Sequence, residues 1–287
     1  MDKAKEEIIS KLPAEIGTYL NSCQWENLQE IRFRTQRPVM LYYGDKIEIL
    51  NKSDKKYYIC EKKDIEKLVS NFCRNSVYAY SDNLRDGFVT LPGGHRVGIS
   101  GRAVYSNGRL SNITSYSGLN IRIAREYKGV FENYIKYIKE NERILSTIII
   151  SPPGGGKTTL LRDIARILGE SHKVTIIDER SEIAAQEFGV PQFDVGIQTD
   201  VLDGYTKDAG IRHALRSLSP DVIITDEIGT KSDISAIENI LKGGCKIITS
   251  MHGYSIEEIR EKKGEFLSLF EVAVTLERHE VTKCLKL

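Results

Sequence analysis

Apolar positions recur along this chain with two different rhythms, and the change from one to the other divides it. Over residues 5–22 the spacing is helical, interrupted at Pro13. Three short β-type runs follow at 30–34, 39–43 and 46–50, with Gly44-Asp45 as the turn between the last two. Ile65, Leu68, Val69 and Phe72 fall at i, i+3, i+4 and i+7, which predicts an amphipathic helix over 62–73. Beyond it a β region, at 88–91, 95–100, 102–105 and 119–123, is broken at Pro92-Gly93-Gly94 and Asn107-Gly108. Residues 1–126 therefore read as a small α+β domain.

From residue 146 onward, strands alternate with amphipathic helices. The strands are predicted at 146–150, 173–177, 221–225 and 246–250, and the helices at 157–168, 205–218, 233–242 and 256–263. Val174 to Ile177 and Val222 to Ile224 show no polar alternation, as expected of strands covered on both faces. Such βα alternation predicts an α/β fold with a doubly wound parallel sheet over 146–287. Gly169 and Gly243-Gly244 follow predicted helices, and Ser255 with Glu258 reads as a capping box for the last one. Residues 127–145 are expected to link the two domains, with a helix around 131–138.

Composition narrows the class. With 40% hydrophobic and 28% charged residues and a net charge of +1, the chain is neither a basic nucleic-acid coat nor an acidic solvating protein. The charge is uneven: residues 1–150 carry 24 Lys/Arg against 18 Asp/Glu, a net +6, and residues 151–287 carry 17 against 22, a net −5. That asymmetry supports two domains and suggests head-to-tail contact between subunits. No apolar run approaches the ~20 residues of a membrane span, and the acidic N-terminus lacks the apolar core of a signal peptide. Five scattered cysteines without a C-x-x-C pair point to reduced thiols, and with them to a cytosolic protein.

The chemistry concentrates after the first apolar strand of the second half. Ser151-Pro152-Pro153-Gly154-Gly155-Gly156-Lys157-Thr158 follows that strand and opens a helix. Glycines let the backbone curl until several N–H groups face inward, and the helix N-terminus favours an anion there by roughly 0.3–1 kcal/mol at an exposed site. Lys157 is placed to reach the β- and γ-phosphates of a nucleotide, and the Thr158 hydroxyl to ligate Mg²⁺; Thr159 completes the first turn. Ser151 stands where the usual pattern opens with glycine. Further on, an apolar strand ends in Asp226-Glu227, which sets Asp226 to hold Mg²⁺ through water and Glu227 to polarise an attacking water.

Other residues join this constellation by position. Glu179 and Arg180 end the next strand at its C-terminal edge, where doubly wound sheets bind ligands. His252 is expected in a loop just past a central strand, in reach of a γ-phosphate. His172, His213 and His279 carry no signal beyond surface or helix positions. Arg212 and Arg216, one turn apart, read as a solvated helix face or as a contact to a neighbouring subunit's nucleotide. The arginines of the first half, Arg122 and Arg125 among them, are too dispersed and too poor in aromatic neighbours to favour nucleic acid.

Several segments together resemble the stage III sporulation protein AA family, a branch of the secretion-superfamily ATPases related to type II and type IV secretion motors. They are SPPGGGKTTLLRD from Ser151, IDERSEI from Ile177, LRSLSPDVIITDEIG from Leu215 and TSMHG from Thr249, with LPGGHRVG from Leu91, Ser100 to Arg102 and NIRIARE from Asn120 upstream. The resemblance runs from Glu30 to Gly253. It implies a RecA-like domain for residues 146–287, ATP and Mg²⁺ as ligands, and a hexameric ring. Lys157 and Thr158 match the phosphate and Mg²⁺ residues, Asp226 and Glu227 the metal-positioning and catalytic acids, Glu179 the acidic box and His252 the histidine box. Arg122 and Arg125 fall where an N-terminal domain reaches the nucleotide. The opening Ser151 and a shortened histidine box depart from secretion motors.

The expectation is thus an ATP-hydrolysing motor subunit that energises a channel between mother cell and forespore, held at the cytosolic side of the membrane by integral membrane partners. A nucleotide-gated scaffold with slow hydrolysis, and a RecA-like ATPase on single-stranded nucleic acid, are the alternatives. The intact Asp226-Glu227 pair argues against the first, and the thin aromatic interleaving against the second.

Overall fold

A computed structural model describes residues 3–52, 56–76, 80, 84–85, 87–228 and 231–287. The chain divides into two compact units, residues 1–125 and 126–287.

In the first unit, helices α1 (Lys3–Ile9), α2 (Ala14–Asn21) and α3 (Lys62–Phe72) accompany an antiparallel sheet. Pro13 separates α1 from α2, as the sequence predicts. The strands are β1 (Glu30–Arg34), β2 (Met40–Tyr43), β3 (Lys46–Ile49), β4 (Phe88–Thr90), β5 (Arg96–Ser106) and β6 (Arg109–Arg122), in the order β3-β2-β1-β6-β5-β4. Ile8, Ile16 and Leu20 from the first helices meet Leu68 and Phe72 from α3 against Phe33, Val97 and Leu119 of the sheet. Two of the expected short strands are pieces of one long hairpin. The 95–100 and 102–105 runs merge into β5 across a register shift at Gly101, where an added Cβ would lie 2.6 Å from the Thr114 carbonyl oxygen. The predicted 119–123 strand is the end of β6.

In the second unit, β7 (Thr147–Ser151), β8 (Val174–Asp178), β9 (Thr199–Asp203), β10 (Val222–Thr225), β11 (Lys246–His252), β12 (Val272–Glu277) and β13 (Glu280–Lys286) form one sheet. Their order is β9-β8-β10-β11-β7-β12-β13. All neighbours are parallel except β12 and β13, which make an antiparallel hairpin at the edge. Both faces are buried: Ile149 packs on one side with Leu160, Leu161 and Ile164 of α4 (Lys157–Leu168), whereas Ile148 and Ile150 pack on the other. That other side is covered by α5 (Lys207–Ser217), α6 (Lys231–Lys242) and α7 (Ile256–Leu267), through Ile211, Ile237, Ile240 and Ile259. The α/β class therefore holds, with a mostly parallel sheet rather than a wholly parallel one.

The segment before β7 packs within this unit. Phe131, Ile138, Ile144 and Leu145 join the core beside α4. The helix expected around 131–138 is a short 3-10 turn, Glu132–Tyr134, followed by one α turn, Ile135–Ile138. Asp163 of α4 holds this segment down: its carboxylate accepts the Gly129 N–H at 3.0 Å and the Phe131 N–H at 2.8 Å. At α7, the Ser255 hydroxyl accepts the Glu258 N–H at 3.1 Å, while the Glu258 carboxylate turns back to the Tyr254 N–H.

Candidate active site

The phosphate loop leaves β7 at Ser151, whose buried hydroxyl donates to the Pro152 carbonyl at 3.2 Å. Gly156 caps α4 in a left-handed conformation, φ +98, that side-chain-bearing residues rarely adopt. Lys157 begins the helix and is buried. Its ammonium turns back into the loop, donating to the carbonyls of Ser151 at 3.4 Å and Pro152 at 3.2 Å. Thr158 and Thr159 follow in the first turn, half-buried.

Parallel register aligns the C-terminal ends of four strands around this loop. Ser151 of β7 is paired with His252 of β11, Thr225 of β10 with Thr249 of β11, and Ile177 of β8 with Thr225. Strand β11 runs two residues further than its apolar pattern indicates, so His252 is the last residue of the strand, not part of the loop beyond it. Its ring is held from both ends. Nδ1 lies 2.9 Å from the Lys157 ammonium, and Nε2 lies 2.6 Å from the Glu227 carboxylate. Burial lowers the Lys157 pKa, and the Glu227 charge opposes that shift. The Glu227 N–H is fixed in turn by the Ser250 hydroxyl at 3.2 Å.

Asp226 is buried immediately after β10. Desolvation pushes its carboxyl up to about 6, against the pull of Lys207, whose ammonium lies 3.9 Å away. The same ammonium sits 2.8 Å from Glu179. The buried Asp226 carboxylate is a hard oxygen donor of the kind that suits Mg²⁺. Arg180 reaches Glu227 at 3.8 Å. Glu179, Lys207, Glu227, Met251 and His252 line a cavity of about 530 Å³.

Arg212 pairs with Asp208 on its own helix and, like Arg216, is exposed. In the first unit, Arg122 is exposed at the end of β6, and the Arg125 guanidinium donates to the carbonyls of Trp25 and Leu28. His279 is exposed, as the sequence predicts, and has a neighbour that the sequence did not indicate. It lies in the β12–β13 turn against the phosphate loop, with its N–H donating to the Gly155 carbonyl at 3.2 Å. Lys207 also escaped sequence reasoning, because only the fold brings it to the two acids it bridges. Asp178 is a third. Its buried carboxylate accepts the N–H groups of Glu182, Ile183 and Ala184 at 2.8, 3.2 and 2.9 Å and shapes the loop beside Glu179.

A phosphate loop and an acid-ended strand on a mostly parallel sheet, preceded by an antiparallel-sheet domain, make an architecture that this chain shares with solved structures. The structure superposes on the Legionella pneumophila ATPase DotB with a TM-score of 0.59 at 16% identity, over 93% of this chain and 76% of that one. On the pilus retraction motor PilT with bound ADP the score is 0.60 at 13% identity, over 94% and 77%. The chain belongs to the family described as sporulation stage III, protein AA, whose sequence model matches residues 2–283. The stage III sporulation protein AA of Bacillus subtilis (strain 168) is 37% identical over 267 residues, 89% of this chain and 84% of that protein. Among the described residues, no helix is long and apolar enough to cross a membrane.

Proposed function

We propose that the chain is the ATP-hydrolysing subunit of a sporulation motor that works as a ring at the cytosolic side of a membrane, docked to integral membrane partners. The observation that carries this reading is the unbroken contact from Lys157 through His252 to Glu227 at the mouth of the phosphate loop. In this reading the triphosphate lies over the N-terminus of α4, where loop N–H groups and the helix dipole favour its charge. Lys157 exchanges its carbonyl and imidazole partners for β- and γ-oxygens. Glu227 orients the water that attacks the γ-phosphorus, and His252 keeps the carboxylate aimed. Thr158 and Asp226 would hold Mg²⁺, which when bound neutralises charge on the transferring phosphoryl. Glu179 keeps Lys207 beside Asp226. Arg180, or one of Arg122 and Arg125, supplies the cation that compensates charge developing on the phosphoryl oxygens; such a group is worth ~10³–10⁵ in rate.

The test is ATP hydrolysis against protein concentration, with light scattering for mass and Glu227→Gln measured alongside. Turnover that rises with assembly and falls by roughly 10²–10⁴ in the variant, with ATP still bound, is the expected result. Wild-type turnover in Glu227→Gln would remove that acid from the mechanism. Lys157→Ala should weaken nucleotide binding itself.

A further inference from the structure

We infer that the tip of the β5–β6 hairpin, from Arg102 to Leu110, is a lipid-docking arm that enters the headgroup layer of an anionic bilayer, with Tyr105 as its interfacial anchor and Arg102 and Arg109 on the lipid phosphates. The docking needs no nucleotide and goes beyond the ATPase reading.

Isolation makes the first argument. Strand β4 pairs with β5 only from Arg96 to Gly98, and β1 pairs with β6 only from Gly118 to Arg122. Past Ser100 and Gly118, no strand among the described residues flanks the hairpin. Every β5 residue from Ser100 to Ser106 is exposed. Two strands alone are marginally stable in water, so an unaccompanied arm gains from lying in something.

The tip makes the second. Tyr105 is paired with Leu110 and shares a face with it, while Val104 lies on the other face opposite Asn112. Tyr105 is 68% exposed and Val104 39%. Apolar groups therefore crown both faces of the tip, which suits entry end-on. Asn107 and Gly108 make the turn in left-handed conformations, φ +51 and +72, and keep the end narrow. Tyrosine settles at a membrane interface with its ring toward the acyl chains and its hydroxyl toward water.

Charge makes the third. From Gly87 to Arg125 the chain carries five arginines and no Lys, Asp or Glu. Among the described residues, Arg102 and Arg109 have no ion-pair partner. A guanidinium binds phosphate through two parallel N–H bonds, and its long stem lets the charge stay among the headgroups while the tip goes deeper. Each basic residue at an anionic leaflet strengthens attachment roughly fivefold. A nucleic-acid strand would ask for several stacking rings, whereas Tyr105 is the only aromatic residue from 101 to 115.

Co-sedimentation of the full chain with vesicles, in the absence of nucleotide, tests this. Vesicles of phosphatidylcholine alone are compared with vesicles that also contain phosphatidylglycerol. The expected result is attachment to the anionic vesicles that weakens with salt, and that is roughly 25-fold weaker when Arg102→Gln and Arg109→Gln are combined. Tyr105→Ser should weaken it as well. Tyr105→Trp should keep it and add a blue-shifted emission on anionic vesicles, distinct from that of Trp25, which is buried in the core of the first unit. Wild-type protein that stays off anionic vesicles at low salt would overturn the proposal, and so would wild-type attachment in the double arginine variant. A change of mass in that variant without vesicles, with attachment intact, would make the arm a contact to a second copy instead. Loss of oligonucleotide binding with attachment intact would make it a nucleic-acid arm. Because no nucleotide is present, each of these results leaves the ATPase reading standing. Melting curves of the variants confirm that the first unit remains folded.

Discussion

Lys157 and His252 share a 2.9 Å hydrogen bond inside the phosphate loop, and its direction fixes the state of the imidazole. An ammonium has no lone pair, so Nδ1 must accept. The ring is then the neutral tautomer with its proton on Nε2, which donates to Glu227 at 2.6 Å. A single side chain thus spans Lys157 and Glu227 and holds them at a set separation.

Replacing that side chain separates binding from chemistry. In His252→Ala the lysine keeps its loop carbonyls but Glu227 loses the donor that aims it. The expected outcome is a fall in kcat of roughly 10–100-fold with an ADP dissociation constant within about threefold of wild type, the pattern of a lost transition-state interaction. Steady-state kinetics and direct ADP binding decide it. A rise in KM at constant kcat would place His252 in ground-state binding only.

Asp163 ties the segment before β7 to the phosphate-loop helix. It is buried, accepts two backbone N–H groups and also receives Arg166 Nε at 2.9 Å. Truncation to alanine leaves the Gly129 and Phe131 donors without their acceptor, the second of them inside the core. Leaving buried donors unsatisfied costs about 1–3 kcal/mol each, so Asp163→Ala should lose about 2–6 kcal/mol in denaturant unfolding. Asp163→Asn, which keeps one acceptor oxygen, should recover part of that. A midpoint equal to wild type would mean that water replaces the carboxylate.

The phosphate loop and Asp226-Glu227 were legible because their residue types at that spacing serve one chemistry, and the buried strands β7, β8 and β10 because both faces are apolar. What escaped has physical reasons. Strand β9 buries only Leu202, so its sequence offers no alternation to read. The first half of β6 is rich in Ser, Thr and Asn and buries only Ile113. The β12–β13 hairpin turns through Arg278-His279 in left-handed conformations that a sequence normally announces with Asn-Gly. His279 is thus a surface residue whose backbone contact to the loop the sequence does not announce. Lys207 is a local helix-start residue in the sequence and a bridge between two acids in space.

Asp203, at the end of β9, yields a prediction about pH. Its carboxylate accepts the Ser181 hydroxyl at 2.6 Å, yet burial, reinforced by the charge of Asp178, raises its pKa above the ordinary value of 3.8. The folded chain thus keeps the Asp203 proton to higher pH than the unfolded chain does. Where the folded state binds more protons, stability falls as pH rises. The penalty is absent below the unfolded pKa, grows through the window between the two values, and is complete above the folded one. Asp203→Asn removes the ionisation and retains an oxygen for Ser181. Its melting temperature, measured without nucleotide, should exceed that of wild type at pH 7.5, with the gap closing as pH falls toward 4. A variant less stable than wild type at pH 7.5, or a gap indifferent to pH, would show that the carboxylate charge is compensated within the fold.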